Sequence, residues 1–273
     1  MESRSPTVCS SYISPRGLMP KAFFSTTRAA RGMSAVITRS PGALLAALVV
    51  GMGQIPAQAS GKVAVIVVDV QGDFTTAKKG SLAVAGSDQA YLDQVLKATK
   101  DLKAAGMPVY ATQDWHPKNH MSFATNHKGQ KPFQAIKLAD GRTQVLWPNH
   151  CVQNSEGAKL LLPVSMFTAV VKKGKDPKYD SYSGFRDDGG ADTEMNATLK
   201  KAGVKTVVVY GIATDYCVKA TAMDALKAGY NVVVVQSLCR GVAPKTSEAA
   251  WKDMAKAGVK VWPTLDVAKA KKL

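Results

Sequence analysis

Cysteine is scarce in this chain. Four occur in 273 residues, and Cys9 belongs to an N-terminal stretch whose composition differs from the rest. Cys151, Cys217 and Cys239 are left. An odd count excludes a closed disulfide framework, so at least one thiol is expected to stay free. A Cys151–Cys239 bridge in an oxidising compartment stays open. Aromatic residues make up only 7% of the chain and are not interleaved with lysines into a basic stripe. The net charge of +16 therefore does not point to nucleic acid. The lysines spread along predicted helix faces (Lys97, Lys100, Lys103; Lys200, Lys201, Lys205), and no nucleic-acid-binding motif is present. A solvated basic surface that aids solubility and steers anions is the reading, with no nucleic-acid partner. Long apolar runs, internal repeats and low-complexity tracts are also missing from the body of the chain.

Acids are nearly absent from the first sixty residues. Glu2 stands alone there against Arg4, Arg16, Lys21, Arg28, Arg31 and Arg39. Residues 1–60 read as a leader. Within 33–59, a short basic region ending at Arg39 precedes an apolar core from Pro41 to about Gly53. Ala57-Gln58-Ala59 then places small residues for cleavage before Ser60. The apolar core is too short to span a bilayer comfortably, so no stable membrane anchor is expected after processing. This form predicts a periplasmic or secreted protein, with translation starting at Met1 or Met33. The rival is an organellar transit segment, read from Ser25, Thr26, Thr27, Arg28 and Arg31, or a cytoplasmic chain.

Residues 61–273 have the right size for one domain with a full core. Val63–Asp69 is an apolar run ending in an acid, the pattern of a buried parallel strand. Helical spacing follows over 87–105, closed by Gly106, and a second strand over 108–113. An irregular stretch covers about 114–165. Alternation then resumes: strands over 167–172, 205–210, 230–236 and 259–262, helices over 193–202, 215–228 and 245–257. Such alternation implies an α/β fold with a parallel sheet covered on both faces and right-handed crossovers.

In open parallel sheets, ligands bind beyond the carboxyl ends of the strands. That rule selects Asp69, Asp114, His116, Lys173 and the Gly211–Cys217 turn. All four histidines lie between His116 and His150, in the clusters Asp114-Trp115-His116-Pro117-Lys118-Asn119-His120 and Trp147-Pro148-Asn149-His150-Cys151. A carboxylate with neutral imidazoles suits one divalent ion such as zinc, iron or manganese. Cys217 opens a predicted helix, where unpaired N–H groups and a nearby Lys173 favour a thiolate and can hold an oxyanion. Cysteine, carboxylate and lysine make a nucleophilic unit that needs no histidine. The plainer alternatives are a small core residue for Cys217, a loop cap for Asp69 and a snorkelling strand-end lysine for Lys173. Asp73 reads as a loop or helix cap, and His127 as an exposed loop histidine.

Several segments together resemble the nicotinamidase/pyrazinamidase members of the isochorismatase-like cysteine hydrolases. They are Val68-Asp69-Val70-Gln71-Gly72-Asp73-Phe74, Gln113-Asp114-Trp115-His116-Pro117, Leu146-Trp147-Pro148-Asn149-His150-Cys151, Lys173-Gly174 with Asp180-Ser181-Tyr182-Ser183-Gly184-Phe185, and Gly211-Ile212-Ala213-Thr214-Asp215-Tyr216-Cys217. The resemblance spans nearly all of 63–261. It implies a three-layer α/β/α fold on an open, six-stranded, mostly parallel sheet. It also implies hydrolysis of nicotinamide to nicotinate and ammonia, with pyrazinamide as a second substrate, through a cysteine thioester. By carry-over, Cys217 is the nucleophile, Asp69 the proton shuttle and Lys173 the cation tuning both. Asp114, His116 and His150 bind the metal, with His120 left open. Phe74 and Trp147 line the ring pocket. A cis Ile212–Ala213 peptide aims the Ala213 and Cys217 N–H groups at the oxyanion. No organic cofactor is implied, and a homo-oligomer is compatible with the sequence. Two rivals remain: a related hydrolase of another small amide or an enol ether, and a metal-binding protein without catalysis, indifferent to Cys217 and Lys173.

Overall fold

A run of β-branched residues with no polar alternation is satisfied only between two covered faces. Lys62–Val68 forms such a strand, β1, and its last five side chains are buried. The structure, a computed structural model, describes residues 62–273. The expected leader, with its signal at 33–59 and cleavage before Ser60, lies outside the described residues. After β1 come α1 (Gln89–Ala104), β2 (Val109–Asp114), β3 (Ala135–Lys137), β4 (Thr143–Val145) and β5 (Ala169–Lys173). The second half carries α2 (Met195–Lys201), β6 (Val204–Ile212), α3 (Lys219–Lys227), β7 (Asn231–Arg240), α4 (Pro244–Ala257), β8 (Lys260–Trp262) and α5 (Val267–Ala270).

Six strands form one sheet in the order β5-β2-β1-β6-β7-β8, every pair parallel. Helices flank it, giving the expected three-layer α/β/α architecture. Ile66, Leu102, Met195, Leu199 and Met254 are among its fully buried side chains, each contributing about 1.5–3 kcal/mol by leaving water. No helix of the described residues is long and apolar enough to cross a membrane.

The order of the strands positions the site. The chain builds outward from β1 through β2 to β5, then returns to add β6 on the other side of β1. The crevice between β1 and β6 is thus the topological switch point, where open α/β sheets bind ligands. Val68 of β1 pairs with Gly211 of β6 there. Gly211 has φ +137°, and a Cβ on it would lie 2.1 Å from the Val68 carbonyl oxygen. Only glycine lets the two strand ends stay this close.

The structure departs from the sequence reading in three places. The stretch 114–165 is not wholly irregular: β3 and β4 pair as an antiparallel hairpin. The helix expected over 215–228 is two pieces, a π-helical turn at Thr214–Val218 followed by α3. The short α5, capped by the Asp266 carboxylate accepting from the Lys269 N–H, was not expected.

Candidate active site

β1 ends at Val68, and the chain leaves it through Asp69 in a left-handed conformation, φ +47°. Aspartate tolerates that region better than most residues. The turn holds Asp69 fully buried over the switch point. Its Oδ1 accepts the Thr112 hydroxyl at 2.6 Å, and its N–H donates to the Thr112 Oγ1 at 3.2 Å. Gln71 binds the end of β1 to the end of β2: Asp114 N–H donates to Gln71 Oε1 at 2.8 Å, and Gln71 Nε2 donates to the Asp114 carbonyl at 2.9 Å.

Lys172 and Lys173 point to opposite sides of β5, as successive strand residues must. Lys172 is exposed, its ammonium 3.7 Å from the centroid of the Trp115 ring. Lys173 is buried at the centre of the site. Its Nζ lies 2.9 Å from Asp69 Oδ2, donates to Asp114 Oδ1 and to the Ser181 carbonyl at 2.8 Å, and stands 3.5 Å from Cys217 Sγ. Burial alone would neutralise this ammonium, but the two carboxylates outweigh it and hold the Lys173 pKa well above the usual lysine value. The snorkelling alternative is thereby removed.

The thiol behaves differently from the sequence expectation. Lys173 does pull Cys217 toward the thiolate, but burial is the larger effect and Asp69 and Asp114 add to it. The Cys217 pKa is pushed well above the ordinary cysteine value. The balance favours the thiol over the thiolate. Asp69 lies beside it: one oxygen or sulfur atom each of Asp69, Asp114 and Cys217 lie within 4.8 Å of one another. Burial, helped by Asp114 and opposed by Lys173, raises Asp69 to about 6. Asp114 moves the other way. Burial pushes it up, yet Lys173, the strongest of the charges around it, holds it below the usual carboxylate range.

The two histidine clusters are joined by backbone pairing. His116 N–H donates to the Cys151 carbonyl at 3.0 Å, and Gln153 N–H to the His116 carbonyl at 2.9 Å. Asp73 accepts the Cys151 N–H at 2.8 Å, which holds the residue after His150 at φ +45° and gives Asp73 the capping role expected of it. Each imidazole of the pair His116 and His150 has its Nδ1 on a backbone carbonyl, Gly174 at 3.0 Å and Pro148 at 2.8 Å. A carbonyl only accepts, so each Nδ1 carries the hydrogen and each Nε2 presents a lone pair. Both Nε2 atoms face Asp114 Oδ2, at 3.5 and 3.9 Å. The three ligand atoms lie within 4.8 Å of one another, all buried. Two imidazole nitrogens and a carboxylate oxygen so converged fit a divalent ion of borderline softness. Gly174 makes room for this: a Cβ there would come within 2.3 Å of the His116 ring.

His120 is not brought into that group. Its ring packs 4.3 Å from that of His116. Its Nε2 donates to the Tyr179 carbonyl at 3.1 Å, and its Nδ1 accepts from Ser122. Both nitrogens are spoken for. His127 is half-buried rather than exposed and holds the Met121 carbonyl at 2.6 Å, outside the metal-binding group. Cys151, Cys217 and Cys239 are all free and buried.

Phe74, Trp147, Ala213, Cys217, Asp114 and His150 line one cavity of about 420 Å³, part of it open to solvent. Every residue expected at the site is thus at this cavity or in direct contact with its lining. The Ile212–Ala213 peptide is cis. Trp147 stands edge-on to Tyr216, ring centres 5.0 Å apart, and its Nε1 donates to the Tyr182 hydroxyl at 3.1 Å. Phe74 lies 5.4 Å from the His150 ring. Tyr182, Tyr216 and Asp180 also line the cavity. Sequence reasoning assigned these three no role, nor Thr112 and Gln71. Gln71, Asp180, Tyr182 and Tyr216 stand in the segments that carry the family resemblance, but nothing in a lone sequence tells them from structural residues.

Residues 63–264 match the Isochorismatase domain. A nicotinamidase of Acinetobacter baylyi is 44% identical over 200 residues, covering 72% of this chain and 90% of the relative. Among solved structures, the pyrazinamidase of Pyrococcus horikoshii in complex with zinc aligns with TM-score 0.61 and 34% identity, covering 74% of this chain and 98% of that one. PnC1 of L. infantum in complex with nicotinate aligns with TM-score 0.63 and 36% identity, covering 74% and 92%.

Proposed function

The chain belongs to the isochorismatase family, and from that premise we propose that it is a nicotinamidase, hydrolysing nicotinamide to nicotinate and ammonia and acting on pyrazinamide as well. One observation carries the reading: a buried thiol, a carboxylate of raised pKa and a buried ammonium meet in the same small cavity as a two-histidine, one-carboxylate metal-binding group. A metal-binding protein without catalysis would have no use for the first three.

Cys217 is the nucleophile and Asp69 its base. The thiol proton passes to Asp69 as the sulfur attacks the amide carbon. Lys173 remains an ammonium throughout and offsets the negative charge shared among sulfur and carboxylates. The oxyanion rests on the N–H groups of Ala213 and Cys217. At the entry to the π-helical turn, the Tyr216 and Val218 N–H groups are both taken by the Ala213 carbonyl, and that of Cys217 lies between them. Asp69 then gives its proton to the departing nitrogen. Ammonia leaves, and a thioester remains on Cys217. Water attacks that thioester with Asp69 again as base, releasing nicotinate and restoring the thiol. Phe74 and Trp147 wall the aromatic ring and set its distance from the sulfur. Asp114, His116 and His150 would hold a divalent ion (zinc, iron or manganese), which would supply a Lewis acid at the ring end of the cavity and so help to orient the substrate.

Ammonia release from nicotinamide tests the activity. Cys217→Ala is expected to abolish turnover while still binding nicotinamide; ammonia at the wild-type rate from that variant sinks the covalent route. The leader makes the protein periplasmic or secreted, on the strength of the apolar core at Pro41–Gly53 and Ala57-Gln58-Ala59. Mass spectrometry of protein from the native cell should find a mature chain beginning at Ser60. A chain beginning at Met1 or Met33 would count against export by this route.

A further inference from the structure

One buried carboxylate at the cavity has no part in the chemistry above. Asp180 is 4% exposed and lines the same space as Asp114, His150 and Cys217. Its Oδ2 accepts the Gln144 amide at 2.8 Å, and its Oδ1 the Ser181 N–H at 2.9 Å. Among the ion pairs of the described residues, none includes Asp180, whereas Asp69 and Asp114 share Lys173. An ionised carboxylate out of water costs several kcal/mol unless an opposite charge offsets it.

The loop that carries Asp180 surrounds the metal-binding group. Gly174 gives its carbonyl to His116, Tyr179 to His120, and Ser181 to Lys173. Asp180 sits between the last two, so its backbone is tied on one side to His120 and on the other to Lys173.

Charge balance then singles out a role. Metal ligation requires neutral imidazoles, and Cys217 and Asp69 share one proton in the proposed chemistry, so that pair carries a single negative charge wherever the proton sits. Asp69, Asp114 and Asp180 are three buried carboxylates against the single ammonium of Lys173. A divalent cation would make the sum zero. Without Asp180, the loaded site would keep an uncompensated positive charge in a largely apolar cavity.

We propose that Asp180 is the outer counter-charge of the metal centre, a positioning residue that raises the site's affinity for a divalent cation while touching neither the ion's ligands nor the substrate's reacting atoms. This rests on the reading of Asp114, His116 and His150 as metal ligands, and its test does not depend on turnover.

The full chain, stripped with a chelator, would be titrated with zinc against a chromogenic competitor, with nicotinamide hydrolysis assayed separately. Asp180→Asn should weaken zinc binding about 10- to 100-fold, the range for loss of an outer partner of a metal site. Asp180→Glu, which keeps the charge, should restore most of the affinity. Gln144→Lys, which leaves Asp180 in place but sets a cation on it, should weaken zinc as Asp180→Asn does, and covers the case in which that variant does not fold. Wild-type affinity in Asp180→Asn or Gln144→Lys overturns the inference, as does equal loss in Asp180→Glu and Asp180→Asn. Failure of the wild-type chain to take up zinc overturns it too. Zinc binding that depends on Asp180 in a chain releasing no ammonia would instead overturn the activity alone.

Discussion

Lys173 has three N–H bonds and four acceptors within reach: two carboxylates, a carbonyl and a sulfur. It cannot serve all of them equally, and the outcome separates two aspartates of identical chemistry. Asp114 takes the closer contact with the lysine and is held below the usual carboxylate range. Asp69 receives less, feels Asp114 as a like charge, and rises to about 6. Pairs of titratable groups pushed apart in this way mark an exchangeable acid–base group beside a fixed charge. Thr112 opposes that rise but orients Asp69, since its hydroxyl fixes one oxygen and leaves Oδ2 toward the lysine and thiol. Replacing Thr112 with Val should lower kcat for nicotinamide about tenfold, one charged hydrogen bond's worth, with KM changed little. Steady-state kinetics checks this, and an unchanged kcat would free Asp69 from dependence on Thr112. Asp69, Lys173 and Cys217 could be picked out in the sequence because strand ends of a parallel sheet are privileged positions. Thr112 could not. It is a β-branched residue inside a strand, 43 positions from its partner, and such residues pack far more often than they orient a catalytic acid. The protonation of Cys217 was hidden for a related reason: the helix-start position is visible in sequence, but the burial that outweighs it is not.

Elements show the same division between local and distant causes. Helix α4 begins with Pro244, a good first residue, but its own N-cap, Ala243, has no side chain to offer. Asp215, on the π-helical turn, supplies the cap from outside. It accepts the Val242 N–H at 2.9 Å, the Ala243 N–H at 3.2 Å and the Thr246 hydroxyl at 2.5 Å. The turn that aims Cys217 is therefore anchored to the start of α4. Asp215→Ala should cost about 1–2 kcal/mol of stability, as loss of a cap does, and should reduce kcat because the turn loses its anchor. Urea unfolding and kinetics on the same preparation test the pair of effects, and a variant that loses stability but keeps full kcat would show that the cap and the nucleophile are uncoupled. The strands and long helices were legible because each rests on its own period. Asp140-Gly141, at the tip of the β3–β4 hairpin, was a readable turn signal within a stretch taken as irregular. The split of the helix at Thr214–Val218 had no such mark, because a π-helical turn is chosen by the packing of β6, β7 and α4 around it rather than by any residue within it.

At the scale of the whole molecule, the proposed catalytic and metal-binding groups come from both sides of one topological switch. Asp69 leaves β1, Asp114 and His116 leave β2, Lys173 ends β5, and Cys217 follows β6. His150 alone comes from a long connection, held to β2's extension by the pairing of His116 with Cys151 and Gln153. An ion on Asp114, His116 and His150 would bind the folded chain and not the unfolded one, since no local stretch contains all three ligands. Such binding adds RT ln(1 + [L]/Kd), about 2.7 kcal/mol at a hundred times the dissociation constant. For a domain of this size that corresponds to a rise in Tm of roughly 5–10 °C. The prediction is that zinc raises the Tm of chelator-treated protein by this order, and that His150→Ala, which leaves the fold's core untouched, loses most of the rise. Differential scanning calorimetry across a zinc series reads both. A wild-type Tm indifferent to zinc would remove the ion from the cavity, and with it the reason for gathering two imidazoles and Asp114 so close to a nucleophilic sulfur.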